Sequence, residues 1–203
     1  MASMPRIHKG LTLEEFLKLP DIEEPPCLEY IDGRIERKAV AQTKHIVIQS
    51  RLNERLDQFA RPSQLGESFP ELRCTFAGRS IVPDIVFFLE DHIELDDQDE
   101  YANVVRRPPD IHVEIISPDQ SVAKTHRKLL WSVTNGCPLG VLIHPERKTI
   151  NVYRPNQEPE RLAPDGAIHG EPVLPGFRLP VAEVFGWLVR RKPNPPASGV
   201  DPA

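Results

Sequence analysis

A carboxylate interrupts an apolar, strand-like run of the sequence. Glu114 lies within DIHVEII (110–116), and alternation along a strand places it with His112 and Ile116 on one face, opposite three apolar residues. An ionised carboxylate in a partly covered layer is costly unless a cation, a metal ion or several hydrogen bonds accompany it. The position of Glu114 therefore indicates either a structural ion pair or a chemical role.

Asp84 offers a second carboxylate for the same place. It opens the apolar part of VPDIVFF (82–88), which is typical of a buried strand, so Asp84 and Glu114 could converge near one end of a sheet. Two carboxylates that leave positions open for water are the ligands that magnesium prefers. Taken alone, a proline–aspartate pair is equally typical of a turn.

A lysine completes the candidate centre. The segment after Glu114 has helical periodicity, and one face of it carries Lys124, Lys128, Trp131 and Asn135. From this face Lys128 could reach back to the carboxylates and orient water or stabilise developing negative charge. Two carboxylates that hold a metal ion beside a lysine form a workable centre for phosphodiester hydrolysis. The alternative for Lys128 is a solvated helix lysine whose stem covers apolar surface.

Cap and turn signals predict the first elements that must position these residues. In LTLEEFLKLP (11–20), Thr12 as N-cap and Glu15 at capping-box spacing predict a short helix. The pair Asp32-Gly33 between β-forming residues predicts a hairpin. Glu29 lies in its first strand, where it could also be a charge that faces solvent.

Periodicity predicts the next elements. Apolar residues at helical spacing predict a helix over 43–60, and His45 near its start could join the site or be satisfied by a backbone carbonyl. ELRCTFAG (71–78) and SIVPDIVFFLE (80–90) are predicted as two strands, the second buried on both faces.

The second half of the chain predicts a strand–turn–helix unit. DIHVEII is expected as a central strand, followed by a helix from about Ser121 to Gly136, where glycine can adopt the left-handed cap conformation. LGVLIH (139–144) and TINVYR (149–154) are expected as further strands, and residues 174–188 as a return that closes with a short helix.

Length and composition bound the class of protein. A chain of 203 residues with 39% hydrophobic residues predicts one globular domain over 11–190, an N-terminal tail over 1–10 and a proline-rich, disordered tail over 191–203. No apolar run suits a membrane span or a signal peptide, so the cytoplasm is the expected location. The three cysteines lack the spacing of a disulfide framework or a zinc site, and no glycine-rich nucleotide loop is present.

Several of these segments together carry a resemblance. LEYIDGRI, a helix led by His45, VPDIVFF, DIHVEIISP and Lys128 ahead of NGCP occur in an order that resembles the Uma-two family of inferred restriction endonucleases, over about Leu11 to Leu188. The resemblance implies the PD-(D/E)XK nuclease fold, an α/β (α+β) architecture with a restriction-endonuclease-like mixed sheet flanked by helices, here with an N-terminal helix and a β-hairpin.

The resemblance also implies roles for individual residues. Asp84 corresponds to the aspartate of the P-D motif, Glu114 to the second metal carboxylate, and Lys128 to a lysine displaced from the strand to the helix; Glu29 and His45 are weaker additions. The chain departs from the family pattern at Ile116, which stands where the usual E-x-K motif has its lysine, so Lys128 or Lys124 must take over that role. It also departs from the pattern at Ser132, Gly140 and His144.

The function expected from these residues is divalent-metal-dependent hydrolysis of DNA, with Mg²⁺ or Mn²⁺ as cofactor. The net charge of −5 gives no global attraction to DNA, and the acidic segment 90–100 should repel it. Binding is therefore expected to depend on local basic residues, namely Arg106, Arg107, Lys124 and Arg127. A homodimer is expected from the habit of the fold alone. A non-catalytic binding or regulatory module and a hydrolase of small phosphate esters remain alternatives.

Overall fold

The computed structural model describes residues 10–118 and 120–190. The predicted C-terminal tail and nearly all of the predicted N-terminal tail lie outside these residues. Within the described ranges no helix is both long enough and apolar enough to cross a membrane.

Four α-helices separate runs of strands along the described part of the chain. Its helices are α1 (Leu13–Phe16), α2 (Thr43–Ala60), α3 (Val122–Thr134) and α4 (Val181–Gly186). Its strands are β1 (Leu28–Ile31), β2 (Arg34–Arg37), β3 (Gly66–Pro70), β4 (Cys74–Phe76), β5 (Arg79–Ile81), β6 (Ile85–Leu89), β7 (Ile111–Ile115), β8 (Leu139–His144), β9 (Thr149–Tyr153), β10 (Glu160–Arg161), β11 (Ala167–His169) and β12 (Arg178–Pro180).

A six-stranded mixed sheet forms the centre of the molecule, in the order β10-β9-β8-β7-β6-β3. Strands β7 and β8 pair in parallel through the connection that contains α3, and the other neighbours pair antiparallel. The expectation of a mixed sheet flanked by helices, with DIHVEII as an interior strand, is therefore confirmed.

The N-terminal segment forms a second, smaller sheet. Strands β1 and β2 are joined at Asp32-Gly33, where both residues have positive φ, and this hairpin continues into an antiparallel sheet of order β2-β1-β5-β4. The capping box of Thr12 and Glu15 at α1 is present as predicted. The hairpin also forms one wall of the candidate site.

The two faces of the large sheet are covered by different helices. Ile48, Leu52 and Leu56 of α2 lie in one buried cluster with Ile111, Val113 and Ile115 of β7. Leu129 and Val133 of α3 lie in another cluster with Ile116, Leu142 and Tyr153. Each fully buried side chain of this size contributes about 1.5–3 kcal/mol to the free energy of unfolding, so both helices are held firmly. Glu114 points to the α3 side, as alternation along β7 predicts.

Two strand predictions need correction. SIVPDIVFFLE is not one strand, because the chain leaves the small sheet after Ile81 and enters the large sheet at Ile85. The break lies at Val82-Pro83-Asp84, since proline has no backbone N–H to donate to a ladder. Strand β3, which pairs with β6 at the edge of the large sheet, was not predicted, because GESFP lacks β-forming alternation.

Candidate active site

Strands β6 and β7 pair in a register that brings the two candidate carboxylates together. Ile85 lies opposite Val113, so the next pair along this ladder is Asp84 and Glu114. The backbone N–H of Ile115 donates to Asp84 Oδ2 at 2.6 Å, which fixes the aspartate to β7. Asp84 is 2% exposed and Glu114 is 1% exposed, so both carboxylates lie at the floor of the site.

Asp84 lies between a lysine and a histidine. Lys38 Nζ is 2.8 Å from Asp84 Oδ1 and also donates to the carbonyl oxygen of Val82 at 2.8 Å. His45 Nε2 is 3.4 Å from the same carboxylate oxygen, and its Nδ1 is 3.1 Å from Ser117 Oγ. The helix α2 thus directs His45 into the site, with a hydroxyl rather than a backbone carbonyl as its partner.

Glu114 has its own lysine and histidine. Its Oε1 lies 2.7 Å from Lys128 Nζ and 2.8 Å from His112 Nε2. Both contacts use Oε1. The second carboxylate oxygen, Oε2, has no hydrogen-bond donor among the described residues. Glu114 is therefore oriented through one oxygen while it lines the cleft described below.

Glu29 joins the same network from the small sheet. Its Oε1 accepts hydrogen bonds from Lys128 Nζ at 2.6 Å and from the backbone N–H of Val82 at 2.7 Å. Glu29 is 6% exposed, so the alternative of a hairpin charge that faces solvent is wrong. The structure therefore brings together all five residues that were predicted as catalytic, namely Asp84, Glu114, Lys128, Glu29 and His45.

The neighbouring cations keep both floor carboxylates ionised. Burial alone would raise the pKa of Asp84, but Lys38 and His45 outweigh it and hold the pKa well below its ordinary range. Burial would likewise raise the pKa of Glu114, and Asp84 adds to that effect; Lys128 and His112 reverse it, and the net shift is downward. Both side chains are thus available as anions at neutral pH.

The cations of the floor stay protonated, whereas His112 stays neutral. Burial would lower the pKa of Lys128, but Glu114 and Glu29 outweigh it and raise the pKa above its ordinary range. Asp84 and Glu114 have the same effect on the pKa of Lys38. Burial lowers the pKa of His112 despite the opposing effect of Glu114. The neutral ring then carries its proton on Nε2, donates it to Glu114 and leaves Nδ1 without a partner among the described residues.

Carboxylates outnumber ammonium groups at the floor. Leaving the histidines aside, three carboxylates (Asp84, Glu114 and Glu29) face two ammonium groups (Lys38 and Lys128), an excess of one negative group, 3 − 2. The described residues contain no group of three or more His, Cys, Asp or Glu side chains arranged to hold a metal ion. Two carboxylates with residual negative charge nonetheless fit magnesium, which retains several waters and takes few protein ligands.

A cleft of about 640 Å³ opens above this floor. Its walls come from the β1–β2 hairpin with the residues that follow it, from β5, and from the N-terminal half of α3. Glu29, Glu114 and Lys128 line its inner part. Its basic lining residues are Arg34, Arg37, Lys38, Arg79, Lys124, Arg127 and Lys128. The cleft thus has a cationic mouth above a floor where carboxylates outnumber ammonium groups.

The four residues predicted to bind nucleic acid divide into two pairs. Lys124 and Arg127 are exposed on α3 and line the cleft. Arg106 and Arg107 lie in the loop before β7 and are not among the lining residues. Arg34, Arg37 and Arg79 were not predicted, because arginines at the ends of hairpin strands look like ordinary solvated charges in sequence.

Two residues of the floor were also missed or set aside. Lys38 follows a hairpin strand and shows no periodic signal, so only the packing of the small sheet against the large one reveals it as a buried partner of Asp84. His112 had a usable signal, since strand alternation placed it on the face of Glu114, but its nearness to a proline pair suggested a surface position. It is fully buried.

The fold and the site together define a class. A mixed sheet flanked by helices, with an aspartate at the start of one strand, a glutamate within the next and a lysine beside them, is the restriction-endonuclease-like architecture.

Comparisons with known proteins place the chain in a family. The model of the Uma2 (Uma-two) family, described as "Putative restriction endonuclease", matches residues 13–182, and the chain belongs to this family. A crystal structure described as that of "a putative nuclease belonging to DUF820 from Anabaena variabilis ATCC 29413" is similar to it, with a TM-score of 0.84 and 39% identity over 88% of this chain and 99% of that chain. None of the curated proteins matches the chain.

Proposed function

We propose that this protein is a divalent-metal-dependent endonuclease that hydrolyses DNA phosphodiester bonds. The observation that carries the proposal is the convergence of Asp84, Glu114 and Lys128 next to a cleft with a cationic mouth, which Glu114 and Lys128 line and beneath which Asp84 is buried. Membership of a family described as restriction endonucleases supports the same reaction class.

Asp84 and Glu114 are the residues that would hold the metal ion, Mg²⁺ or Mn²⁺. When bound, such an ion polarises a phosphate and lowers the pKa of water. His112 and Lys128 fix Glu114 through Oε1 and leave Oε2 for a ligand. Lys38 and His45 fix Asp84 through Oδ1.

Lys128 is the lysine that the proposal assigns to the reaction. Its ammonium is buried between Glu29 and Glu114, where a fixed positive charge stabilises negative charge that develops on a phosphate. Lys124, the other lysine that the sequence left open, is exposed at the mouth and pairs with Glu36. We assign Lys124 to substrate binding.

Calorimetric titration of Mg²⁺ and Mn²⁺, paired with cleavage of DNA, tests the proposal. Wild type, Asp84→Asn and Glu114→Gln would be compared, since both substitutions preserve shape and remove one negative charge. Asp91→Asn, at an exposed carboxylate outside the cleft, is the matched control. We expect wild type and Asp91→Asn to bind metal and cut DNA, and both floor variants to lose at least about 100-fold in rate. Cleavage that survives in the folded floor variants contradicts the proposal.

A catalytically inactive binding or regulatory module is the alternative. The observation that favours it is the pairing of each floor carboxylate with a lysine, as in a structural ion-pair network. A folded wild type that binds neither Mg²⁺ nor Mn²⁺ would favour this module. The homodimer stays a prediction, and sedimentation of the purified chain would test it.

A further inference from the structure

We infer that the cleft accepts one unpaired DNA strand and not an intact duplex, an inference that rests on the proposed nuclease function. It specifies whether the substrate is single-stranded or double-stranded, which neither the family nor the reaction class determines. Three features of the described residues carry it: the narrow mouth, the recessed floor and a rigid arginine plane in the wall.

The mouth of the cleft is narrow enough for two side chains to bridge it. Lys124 Nζ on α3 lies 3.3 Å from both carboxylate oxygens of Glu36 on the hairpin. Both residues line the cleft, so this pair joins its opposite walls. A duplex contains two backbones that flank a major groove about 12 Å wide, so its full width exceeds a gap that one lysine and one glutamate span. A single strand needs only the weak, exposed Lys124–Glu36 pair to open.

The floor is too recessed for a phosphate on the surface of a duplex to reach. Glu114 is almost completely buried, and Lys128 is 8% exposed. The scissile phosphate must therefore enter the cleft together with its neighbouring sugar and base. A volume of about 640 Å³ lies within the range of about 300–1,000 Å³ that is typical of pockets for small molecules. That space suits a short unpaired segment of a strand.

The wall also offers a flat surface for an unpaired base. The guanidinium of Arg79 lies 4.5 Å from the ring centre of Trp131, which itself stacks on Phe76 at 4.5 Å. Two hydrogen bonds to Asp32, at 2.8 and 2.7 Å, hold the guanidinium in place. Because Arg79 lines the cleft, a base that has left its partner can stack on this fixed plane, as bases do in single-strand binding proteins.

Circular DNA gives the sharpest test, because it has no frayed ends. Wild-type protein with Mg²⁺ or Mn²⁺ would be incubated with a single-stranded circle and with a relaxed, covalently closed duplex circle of the same sequence. We expect the single-stranded circle to be cut at least about tenfold faster. Cleavage of the relaxed duplex at an equal or higher rate overturns the inference.

Binding separates this inference from the nuclease proposal. Fluorescence anisotropy would compare a labelled oligonucleotide in single-stranded form with its blunt duplex, without added metal. If the wild type cuts neither circle, the nuclease proposal fails, and the strand preference is then decided by affinity alone. Tighter binding of the single strand supports the preference, and equal or tighter binding of the duplex overturns it.

Variants test whether the cleft itself makes the distinction. Arg79→Lys keeps the charge but loses the plane and the two-pronged contact with Asp32, so we expect single-strand affinity to fall by about tenfold. Arg37→Ala removes an exposed charge at the mouth, and we expect a loss of several-fold. Arg51→Ala, at an exposed helix arginine that does not line the cleft, is the control and should bind as wild type. Equal effects of all three substitutions overturn the assignment of the strand to this cleft.

Discussion

Lys128 is buried between two carboxylates that come from different sheets. Glu29 belongs to the small sheet and Glu114 to the large one, and the ammonium lies 2.6 and 2.7 Å from them. Removing one member of a buried charge network leaves the other members uncompensated, which costs more than the network contributes as a whole. The same residue therefore serves the stability of the fold and the chemistry that we propose.

Lys128→Met tests this double role. We expect the free energy of unfolding to fall by about 3–5 kcal/mol, because three buried carboxylates would then face only Lys38. Lys124→Met, at the exposed lysine one turn earlier on the same face of the helix, should change it by less than about 1 kcal/mol. Urea denaturation of both variants measures the difference, and similar losses would contradict the buried network.

His112 gives the protein a distinctive response to acid. Burial lowers its pKa below the ordinary value of 6.5, so the unfolded chain binds this proton more readily than the folded protein. The contribution of His112 to stability is therefore fully present above pH 6.5 and is lost as the pH falls below it. Asp84 and Glu114, whose pKa values are lowered from 3.8 and 4.5, add a second loss only at lower pH.

We therefore expect stability without added metal to fall as the pH drops below 6.5, by up to about 1.4 kcal/mol per pH unit from this one histidine. His112→Asn, which keeps a donor but has no titrating ring, should remove most of that slope. Urea denaturation over this pH range checks it, and an unchanged slope in the variant would assign the acid response elsewhere.

The helix α3 depends on a close approach to strand β8. At Gly140 an added Cβ would meet Leu129 at 3.1 Å, Tyr153 at 3.2 Å and Val133 at 3.3 Å. Glycine at this position lets the helix pack directly on the sheet. The depth of Lys128 in the site follows from this packing.

Gly140→Ala should displace α3 by a few tenths of an ångström and reduce the free energy of unfolding by about 1–3 kcal/mol through overpacking. Gly186→Ala is the control, because no atom lies within 4 Å of the added Cβ at the end of α4. Thermal unfolding measures both changes. An unchanged free energy of unfolding in Gly140→Ala would show that α3 can shift without cost.

Local signals predicted most elements, but not how they assemble. Asp32-Gly33 and the apolar stripe of α2 are short-range patterns, so the hairpin and the helix could be predicted. The burial of Lys38 depends on the small sheet packing beside the large one, a long-range event without a local pattern. The same holds for Arg79, whose position in the cleft wall depends on Trp131 from a distant helix.

The whole molecule is acidic, but basic side chains gather at the cleft mouth. A net charge of −5, with seven acidic residues in segment 90–100, disfavours polyanions elsewhere. Binding of DNA should therefore depend on few contacts and on low salt.

The salt dependence can locate these contacts. Arg127 lines the cleft and has no ion pair among the described residues, so Arg127→Ala should reduce the slope of log affinity against log salt by about 0.7 for a single strand. Arg106→Ala should leave the slope unchanged if the cleft is the binding surface. Anisotropy titrations at several salt concentrations measure both slopes. A larger change of slope for Arg106→Ala than for Arg127→Ala would indicate that DNA contacts the loop before β7.

Val82 lies at the crossing where the chain leaves the small sheet and enters the large one. The N–H of Val82 donates a hydrogen bond to Glu29, and its carbonyl oxygen accepts one from Lys38. Charged side chains of the candidate site therefore bind both backbone polar groups of this residue. The two sheets therefore cannot hinge apart while the site stays assembled. A substitution that loosens this crossing would therefore also disturb the residues of the proposed active site.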